Sequence, residues 1–106
     1  EKAIQLAKIY QCKGGGVELF PLNYDIIINC TPNPDYIQSE WICPNSITMD
    51  TVYQSQWTEF LKKASLKNCT IIFGKELFIN QAVYQQMLWS SSYSKEELEQ
   101  AISRSV

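Results

Sequence analysis

Three short segments of the sequence place polar side chains directly beside apolar runs. Asn29-Cys30-Thr31-Pro32 follows an isoleucine-rich run, Asp50-Thr51-Val52-Tyr53 ends another, and Gly74 opens an apolar segment that contains Gln81. Hydroxyl and amide groups of these types hydrogen-bond ligands such as polyols, and a glycine lets a ligand approach the backbone. The chain has no histidine, so histidine-based acid–base catalysis and histidine metal ligands are excluded within it.

Each of these features also has an ordinary structural explanation. Asn29 and Thr31 can hydrogen-bond their own backbone in a loop. Tyr53 can pack its ring at the rim of a core with its hydroxyl in water. Gly74 can simply turn the chain. Gln81 is one helical turn from apolar neighbours, so we expect it on or near a buried stripe, where its amide needs a hydrogen-bonding partner.

Apolar periodicity predicts helices that alternate with strands. The run Ile26-Ile27-Ile28 marks the clearest strand, and its unbroken β-branched character predicts burial on both faces, as in a parallel sheet. Ser94 to Glu97 is a capping box that opens the last helix. Residues 35–45 are expected to be irregular or to hold a short helix. The predicted helices are 1–11, a segment with Trp57, Phe60, Leu61 and Ala64 on one face, 76–89 and 94–103, and the predicted strands are 17–20, 25–30, 47–53 and 69–73.

This alternation of strands and helices indicates an α/β fold with a mostly parallel sheet. Ligands of such sheets bind in the crevice at the carboxyl ends of the strands. The three polar segments all lie at, or directly after, predicted strand ends. We therefore expect Thr31, Tyr53 and Gln81 to face one shared crevice beside the sheet.

Composition excludes several classes of protein. Apolar residues make up 45% of the 106 residues, enough for a packed core, and the net charge is −2 with scattered lysines, so nucleic acid is not an expected partner. No apolar stretch approaches the roughly 20 residues that span a bilayer. The four cysteines form no CxxC pair, so we expect no metal site, and we interpret them as reduced and mostly buried, as in a cytoplasmic protein.

A run of three glycines, Gly14-Gly15-Gly16, could be taken for a phosphate-binding loop. Such a loop follows a strand and opens a helix, whereas this run follows the predicted helix over residues 1–11. We therefore expect the glycine run to stop that helix and to form a turn.

Taken in order, these segments resemble the C-terminal half of shikimate dehydrogenases. In that family a strand ends in a motif like Asp-Leu-Ile-Ile-Asn-Ala-Thr, which Asp25 to Thr31 resembles. A later strand ends in Asp-x-x-Tyr and precedes a helix with Thr-x-Phe-Leu. Asp50 to Tyr53 and Thr58 to Leu61 match these two motifs in the same order.

The resemblance extends over nearly the whole chain. The family has a glycine seven residues before a glutamine, in a segment that runs on to Leu-Trp, and here these are Gly74, Gln81 and Leu88-Trp89. The opening Glu1-Lys2-Ala3 resembles the helix after the family's Asn-Arg-Thr cofactor motif. Each motif alone is weak, but the ordered set is fairly specific.

The resemblance implies an oxidoreductase of aromatic amino-acid biosynthesis that uses NADPH to reduce the ketone of 3-dehydroshikimate reversibly to shikimate. By position, Thr31, Thr51 and Gly74 would lie along the nicotinamide side of NADP. Tyr53 and Gln81 would hydrogen-bond the substrate. The resemblance implies no catalytic residue in this chain, because the family's catalytic Lys-Asp pair belongs to its N-terminal domain.

The resemblance also implies a domain organisation. The fold would be a partial Rossmann-like, doubly wound parallel sheet flanked by helices, without the first two strands. Residues 1–75 would be the second part of the NADP-binding domain, and residues 76–106 would be C-terminal helices that close the substrate cleft. Because the glycine-rich first turn and the strand with the NADP-selecting arginine are missing, we expect the chain alone to be inactive and to need the N-terminal part of the same enzyme.

The missing strands have a physical consequence for the sheet. In the strand order 3-2-1-4-5-6, strands 1 and 2 would lie between Val17–Phe20 and Asp25–Cys30. Without them the apolar strand at 25–30 has an open edge, and such edges recruit partners. We expect either self-association along this edge or closure of Val17–Phe20 onto it.

Three departures from the family pattern are visible. Pro32 replaces a small polar residue, Phe73 replaces an acidic residue, and Lys75-Glu76 replaces a Leu-Gly pair beside Gly74. Such divergence would suit a chain in which shikimate dehydrogenase is fused to dehydroquinate dehydratase.

Two alternative functions remain. One is a related quinate dehydrogenase. The other is a non-catalytic Rossmann-like interaction module, which the absence of a glycine-rich loop and a catalytic dyad favours.

Overall fold

The computed structural model describes residues 1–20, 23–33 and 35–106 and shows one sheet of three parallel strands with flanking helices. The strand order is β1-β2-β3. The predicted α/β class with a parallel sheet is therefore confirmed. The helices are α1 (Lys2–Tyr10), α2 (Glu59–Ser65), α3 (Gly74–Trp89) and α4 (Lys95–Ser105), and the strands are β1 (Ile26–Asn29), β2 (Ile47–Asp50) and β3 (Thr70–Ile72).

The register of the sheet brings the strand ends level with one another. Asn29, the last residue of β1, is the partner of Asp50, the last residue of β2, and Met49 is the partner of Ile72 at the end of β3. Because all three strands run in the same direction, their carboxyl ends meet at one edge. The residues that follow each strand are thereby brought together.

The main core lies between the sheet and α2. Thr58 caps this helix, since its Oγ1 accepts a hydrogen bond from the Leu61 amide, and helical spacing then turns the apolar side chains of α2 toward the sheet. Full burial of a side chain such as Phe60 contributes about 2–3 kcal/mol. The buried core cluster consists of Ile27, Ile37, Ile42, Phe60, Leu61 and Ala64.

Trp57 does not join the buried face of α2 as predicted. The helix begins only after Thr58, so Trp57 lies before the first turn and remains exposed. Its ring instead meets Phe73 edge-on, with 5.0 Å between the ring centroids. The start of the helix is therefore set by the capping threonine and not by the apolar pattern.

Strand β1 is buried on one face only, and the prediction of burial on both faces is wrong. Ile27 and Asn29 are buried toward α2, whereas Ile26 and Ile28 are 56% and 49% exposed on the opposite face. Within the described parts of the chain, no strand pairs with the free edge of β1, and that face remains about half exposed. An apolar face of this kind is normally covered by another element.

The predicted strand at 17–20 is also wrong. Val17–Leu19 forms a single turn of 3-10 helix, in which the Leu19 and Phe20 amides bond back to Gly16 and Val17. Glu18 folds over this turn and accepts a hydrogen bond from the Gly16 amide at 2.7 Å, which lowers the pKa of its exposed carboxyl group. Closure of this segment onto β1 is not observed among the described residues. Pro21, whose fixed backbone predicts the end of the segment, lies outside them.

Helix α1 confirms the predicted first helix, but the glycine run is not what ends it. Gln11 adopts a left-handed backbone conformation with φ 53°, and the chain leaves the helix there. The glycine run matters for a different reason, because a Cβ on Gly14 would lie 2.5 Å from both Ala3 O and Ala7 Cβ. The chain therefore folds back against α1 at a distance that only glycine allows.

The last two helices pack on each other. Helix α3 begins at Gly74, two residues earlier than predicted, and α4 begins at the predicted capping box, with the Ser94 and Glu97 hydrogen bonds both present. Only Gly74 and Val83 of α3 are buried, although its apolar residues lie on all sides of the helix. No helix in the described ranges is long and apolar enough to cross a membrane.

The expectation that the cysteines are mostly buried is wrong. Cys12 and Cys30 are exposed, and Cys43 and Cys69 are half-buried. All four lie within the described residues, and none is paired in a disulfide.

Candidate functional site

A cavity of about 350 Å³ opens where β1 and β2 end. The loop after β1 forms one wall and the loop after β2 forms the other. Its lining residues are Cys30, Thr31, Pro32, Thr51, Val52, Tyr53 and Gln54. Three of the residues predicted from sequence, Thr31, Thr51 and Tyr53, are therefore brought together at the strand ends.

Asn29 shapes the wall that contains Thr31. The buried Asn29 side chain accepts two hydrogen bonds at Oδ1, from the Thr31 amide at 3.0 Å and from the Thr31 hydroxyl at 2.8 Å. Asn29 and Thr31 therefore do hydrogen-bond each other within the loop, as the ordinary structural explanation predicts. It does not exclude a ligand, because Thr31 remains only half-buried at the cavity wall.

The second wall is anchored on the same residue. The Thr51 amide and the Thr51 hydroxyl both donate to the Asn29 carbonyl oxygen, each at 3.0 Å. The Asn29 side chain accepts the hydrogen bonds of Thr31, and the Asn29 carbonyl oxygen accepts those of Thr51. One buried residue therefore fixes both walls of the cavity relative to each other.

Asp50 extends this arrangement, although in the sequence it stands out only as part of a motif and is not among the predicted site residues. It is fully buried, and its carboxylate accepts hydrogen bonds from Asn29 Nδ2 at 3.3 Å, the Val52 amide at 3.0 Å and Thr58 Oγ1 at 2.7 Å. The bond to Val52 turns the chain and ends β2 at Asp50, before the predicted Tyr53. An aspartate at the end of a buried strand, with a helix-capping threonine soon after, is the signal that could have found it.

The cavity wall offers hydrogen-bond acceptors and few donors. The Thr31 hydroxyl lies 2.8 Å from Asn29 Oδ1 and 3.4 Å from the Asn33 carbonyl oxygen, so we assign its proton to the shorter bond, to Asn29. The Thr51 hydroxyl also donates to Asn29, which leaves lone pairs on both oxygens for a ligand. The amides of Thr31, Thr51 and Val52 are likewise used within the protein. This surface suits a ligand that donates N–H or O–H groups, and these three amides are not free to cradle a phosphate.

Tyr53 lies at the outer end of the cavity. Its ring stacks on Phe78 of α3, with 4.7 Å between the centroids and 23° between the planes. Tyr53 is 48% exposed, and its hydroxyl makes no hydrogen bond within the described residues. The ring is therefore packed at a rim, and the hydroxyl is free for a ligand or for water.

Gly74 is buried beside the end of β2. A Cβ at this position would collide with the Val52 carbonyl oxygen and would lie 2.7 Å from the Asp50 carbonyl oxygen. Its φ is negative, so the glycine is required by this close approach and not by a left-handed conformation. Gly74 thus holds the start of α3 against the loop that forms the second cavity wall.

Gln81 is not buried, and the prediction that it lies on a buried stripe is wrong. Its neighbour one turn on, Tyr84, is 56% exposed, and the buried residue of this part of α3 is Val83. Gln81 does not line the cavity at the strand ends. The lining of this cavity therefore contains Thr31 and Tyr53 but not Gln81, which lies three residues after Phe78, the residue on which Tyr53 stacks.

A larger cavity, of about 580 Å³, lies between α1 and the free edge of β1. Most of its lining is apolar, and the glycine run contributes to it. Tyr24 closes one side: its hydroxyl donates to the Trp41 carbonyl oxygen and accepts from the Cys43 amide at 2.9 Å. Partial burial raises the pKa of Tyr24 above its ordinary value.

Several proteins of known name are similar to this chain in sequence. Shikimate dehydrogenase from Sulfurisphaera tokodaii is 33% identical over 97 residues, which cover 91% of this chain and 33% of that protein. Shikimate biosynthesis protein AroDE from Chlamydia muridarum is 34% identical over 100 residues, which cover 93% of this chain and 20% of that protein. The chain belongs to the shikimate dehydrogenase family. It spans a third or less of the length of these two relatives, and no protein-family model matches it.

Solved structures of a shikimate 5-dehydrogenase have the same fold as this member of the family. The enzyme from Thermus thermophilus in complex with shikimate superposes with a TM-score of 0.82 over 98% of this chain and 41% of that one. Its complex with NADP(H) and shikimate gives 0.83 over 99% and 42%. The identity is 21% in both cases, so this likeness confirms the partial Rossmann-like architecture alone.

Proposed function

We propose that this chain supplies one wall of the cofactor and substrate cleft of a shikimate dehydrogenase. The enzyme would reduce 3-dehydroshikimate to shikimate with NADPH, reversibly. The observation that carries this proposal is the cavity at the ends of β1 and β2, where Thr31, Thr51 and Tyr53 meet in a chain of this family. Ligands of parallel sheets bind at the carboxyl ends of the strands, where this cavity lies.

The hydrogen-bonding character of the cavity fits the nicotinamide end of NADP. The carboxamide of nicotinamide donates N–H groups, and the hydroxyl oxygens of Thr31 and Thr51 are acceptors because their protons are bonded to Asn29. The phosphates need donors, which this wall does not supply from Thr31, Thr51 or Val52. They would be held by a glycine-rich turn elsewhere in such an enzyme.

When bound, NADPH supplies a hydride to the ketone carbon, and a proton joins the ketone oxygen, so the products are NADP⁺ and an alcohol. The residues of this chain would orient the two molecules. Thr31 and Thr51 would fix the plane of the nicotinamide ring. The packed start of α3 at Gly74 would limit how far the ring enters the cleft. Near-attack geometry of this kind accounts for a large part of catalysis in hydride transfer.

Substrate recognition would fall to Tyr53 and Gln81. The Tyr53 hydroxyl has no hydrogen bond within the described residues, and the stack on Phe78 holds its ring in place. Gln81 is exposed further along α3, less than one turn beyond Phe78. Both polar groups are therefore accessible to the hydroxyls of a cyclic polyol near the nicotinamide.

The rest of the enzyme would cover the apolar surface beside α1. Ile26 lines the cavity of about 580 Å³, Ile28 is exposed on the same strand, and within the described residues no strand lies beside the free edge of β1. An N-terminal part of the same enzyme, with its nucleotide turn and Lys-Asp pair, would fill this cavity. In its absence we expect no activity, and we expect copies of the chain to associate through β1.

Two other functions are distinguishable from this one. A quinate dehydrogenase would use the same cleft for a different polyol, and nothing in the cavity wall separates the two substrates. A non-catalytic interaction module would use the open edge of β1 and would bind neither NADPH nor a polyol. The free Tyr53 hydroxyl and the acceptor character of Thr31 favour the dehydrogenase.

A chimeric enzyme, called the joined protein below, tests the proposal. Residues 1–106 replace the matching third of the Sulfurisphaera tokodaii enzyme, and loss of NADPH absorbance is followed with 3-dehydroshikimate and with 3-dehydroquinate. We expect turnover with 3-dehydroshikimate in the joined protein and none in the 106-residue chain or in the truncated enzyme. Preference for 3-dehydroquinate would identify a quinate dehydrogenase. A joined protein that folds, by circular dichroism, but binds neither ligand would contradict the proposal.

A further inference from the structure

Asp50 is a fully buried carboxylate for which no cation is found among the described residues. The ion pair in this part of the chain, Lys62–Glu59, is exposed on the surface of α2 and does not involve Asp50. Burial of a carboxylate without compensation costs several kcal/mol, so such a group persists only when donors surround it. Asp50 has three donors, and each comes from a different part of the site: the end of β1, the loop after β2 and the cap of α2.

The contact with Asn29 decides which way the Asn29 amide points. Only the NH₂ group can donate to the carboxylate, so Asn29 Nδ2 faces Asp50 and Oδ1 must face Thr31. With the amide turned the other way, its NH₂ group would meet the Thr31 N–H, donor against donor, and its oxygen would meet the carboxylate. Asp50 therefore turns the Asn29 oxygen toward the Thr31 hydroxyl, which it meets at 2.8 Å, closer than the Asn33 carbonyl oxygen at 3.4 Å.

We propose that Asp50 is a positioning residue that holds both walls of the cavity and makes Thr31 a hydrogen-bond acceptor toward the cofactor. Its Oδ1 atom acts on one wall through Asn29 and on the other through the Val52 amide, while Oδ2 ties both to the start of α2. The part of this inference that concerns the cofactor rests on the proposed function. The hydrogen-bond relay itself is independent of which ligand binds.

Two substitutions at Asp50 separate positioning from simple space-filling. In Asp50→Ala the carboxylate acceptor is lost. The Val52 amide then loses its hydrogen bond to Asp50, and the Thr31 amide loses the Asn29 oxygen that Asp50 had oriented. In Asp50→Asn the carbonyl oxygen can take the place of Oδ1, and the NH₂ group can donate to Thr58 Oγ1, which has a lone pair available. Asn should therefore rescue the relay although it removes the charge.

Thr48→Val is the matched control. Thr48 is fully buried two residues earlier on the same face of β2, and its hydroxyl has no partner within the described residues.

Amide hydrogen exchange in the 106-residue chain measures the relay directly. The Thr70 amide, which donates to the Ser46 carbonyl oxygen at 2.9 Å, is the reference for global opening. Relative to it, we expect the Thr31 and Val52 amides to exchange about tenfold faster in Asp50→Ala, as for loss of one hydrogen bond. They should stay protected in Asp50→Asn and in Thr48→Val. If Asp50→Ala does not fold, Asn29→Ala should expose Thr31 while Val52 stays protected by Asp50.

Unchanged relative exchange of Thr31 and Val52 in both Asp50→Ala and Asn29→Ala would overturn the inference. In the joined protein, Asp50→Ala should raise the KM for NADPH about tenfold, and Asp50→Asn should restore it to near the parent value. A KM that Asp50→Asn raises as much as Asp50→Ala would contradict positioning. Absence of activity in the parent joined protein would count against the proposed function and would leave the exchange result standing on its own.

Discussion

The ring of Tyr53 stacks on the ring of Phe78, with centroids 4.7 Å apart and planes inclined by 23°. This contact joins the loop after β2 to the first half of α3, two segments that are 25 residues apart in sequence. It places the free Tyr53 hydroxyl beside the helix that carries Gln81. The outer rim of the cavity therefore depends on an aromatic pair, while its inner end depends on the relay from Asp50.

Loss of the aromatic pair should loosen the outer rim. We expect Phe78→Ala to lower the free energy of unfolding by about 1–3 kcal/mol, through the lost stack and the lost burial. In the joined protein it should also raise the KM for shikimate, because Tyr53 would no longer be held. Urea unfolding and steady-state kinetics measure the two effects. Leu88→Ala, on the same helix but 85% exposed, is the control and should change neither.

Gly74 should not tolerate a side chain. Gly74→Ala places a methyl group against the carbonyl oxygens of Val52 and Asp50, which belong to the backbone and cannot move away cheaply. We expect a loss of about 1–3 kcal/mol in the free energy of unfolding, measured by urea denaturation. Gly16→Ala is the control, because its new methyl group would meet only the flexible end of Glu18. Equal losses in the two variants would show that close packing at Gly74 is not the cause.

Thr48 should be replaceable at no loss of stability. Its hydroxyl is fully buried and has no hydrogen-bond partner in the described structure, so it carries a desolvation cost without compensation. We expect Thr48→Val to leave the free energy of unfolding unchanged or to raise it by about 1 kcal/mol. Thr58→Val should lower it by about 1–2 kcal/mol, since it removes both a helix cap and the bond to Asp50. The reverse order in thermal unfolding would refute this assignment.

The free edge of β1 should drive self-association of the isolated chain. We expect the weight-average mass from sedimentation equilibrium to rise with concentration. Ile28→Lys should suppress that rise, because a charged residue on an edge strand opposes pairing with another chain. Ile4→Lys, a change at a similarly exposed residue on α1, should not. A chain that stays monomeric at all concentrations would contradict association through this edge.

The sequence was sufficient to predict the elements whose signals are local. The capping box at Ser94, the isoleucine strand at β1 and the periodic first helix all specify their own backbone, and the structure contains each of them. The predicted strand at Val17 failed because a short, mainly apolar segment forms a strand only when it pairs with another strand, and Val17–Leu19 folds into a 3-10 turn without pairing with the free edge of β1.

The site was predicted in part for a related reason. Parallel strands bring their carboxyl ends together, so Thr31, Thr51 and Tyr53 could be placed at one edge from the sequence alone. The exposure of Gln81 could not, since α3 is apolar on several sides and its buried face depends on what packs against it. An aspartate at a strand end, followed by a capping threonine, could have marked Asp50, but its partners come from three separate parts of the chain and could not be predicted from that local signal.

The most direct test of the central claim is the separate effect of Tyr53→Phe and Gln81→Ala on the two KM values of the joined protein. Under the proposed function, each variant would remove a hydrogen bond to the substrate and nothing from the nicotinamide side. We expect the KM for shikimate to rise about tenfold in each, with the KM for NADP⁺ unchanged. If the two KM values rise together, or if neither changes, Tyr53 and Gln81 do not bind the substrate and the proposed cleft is wrong.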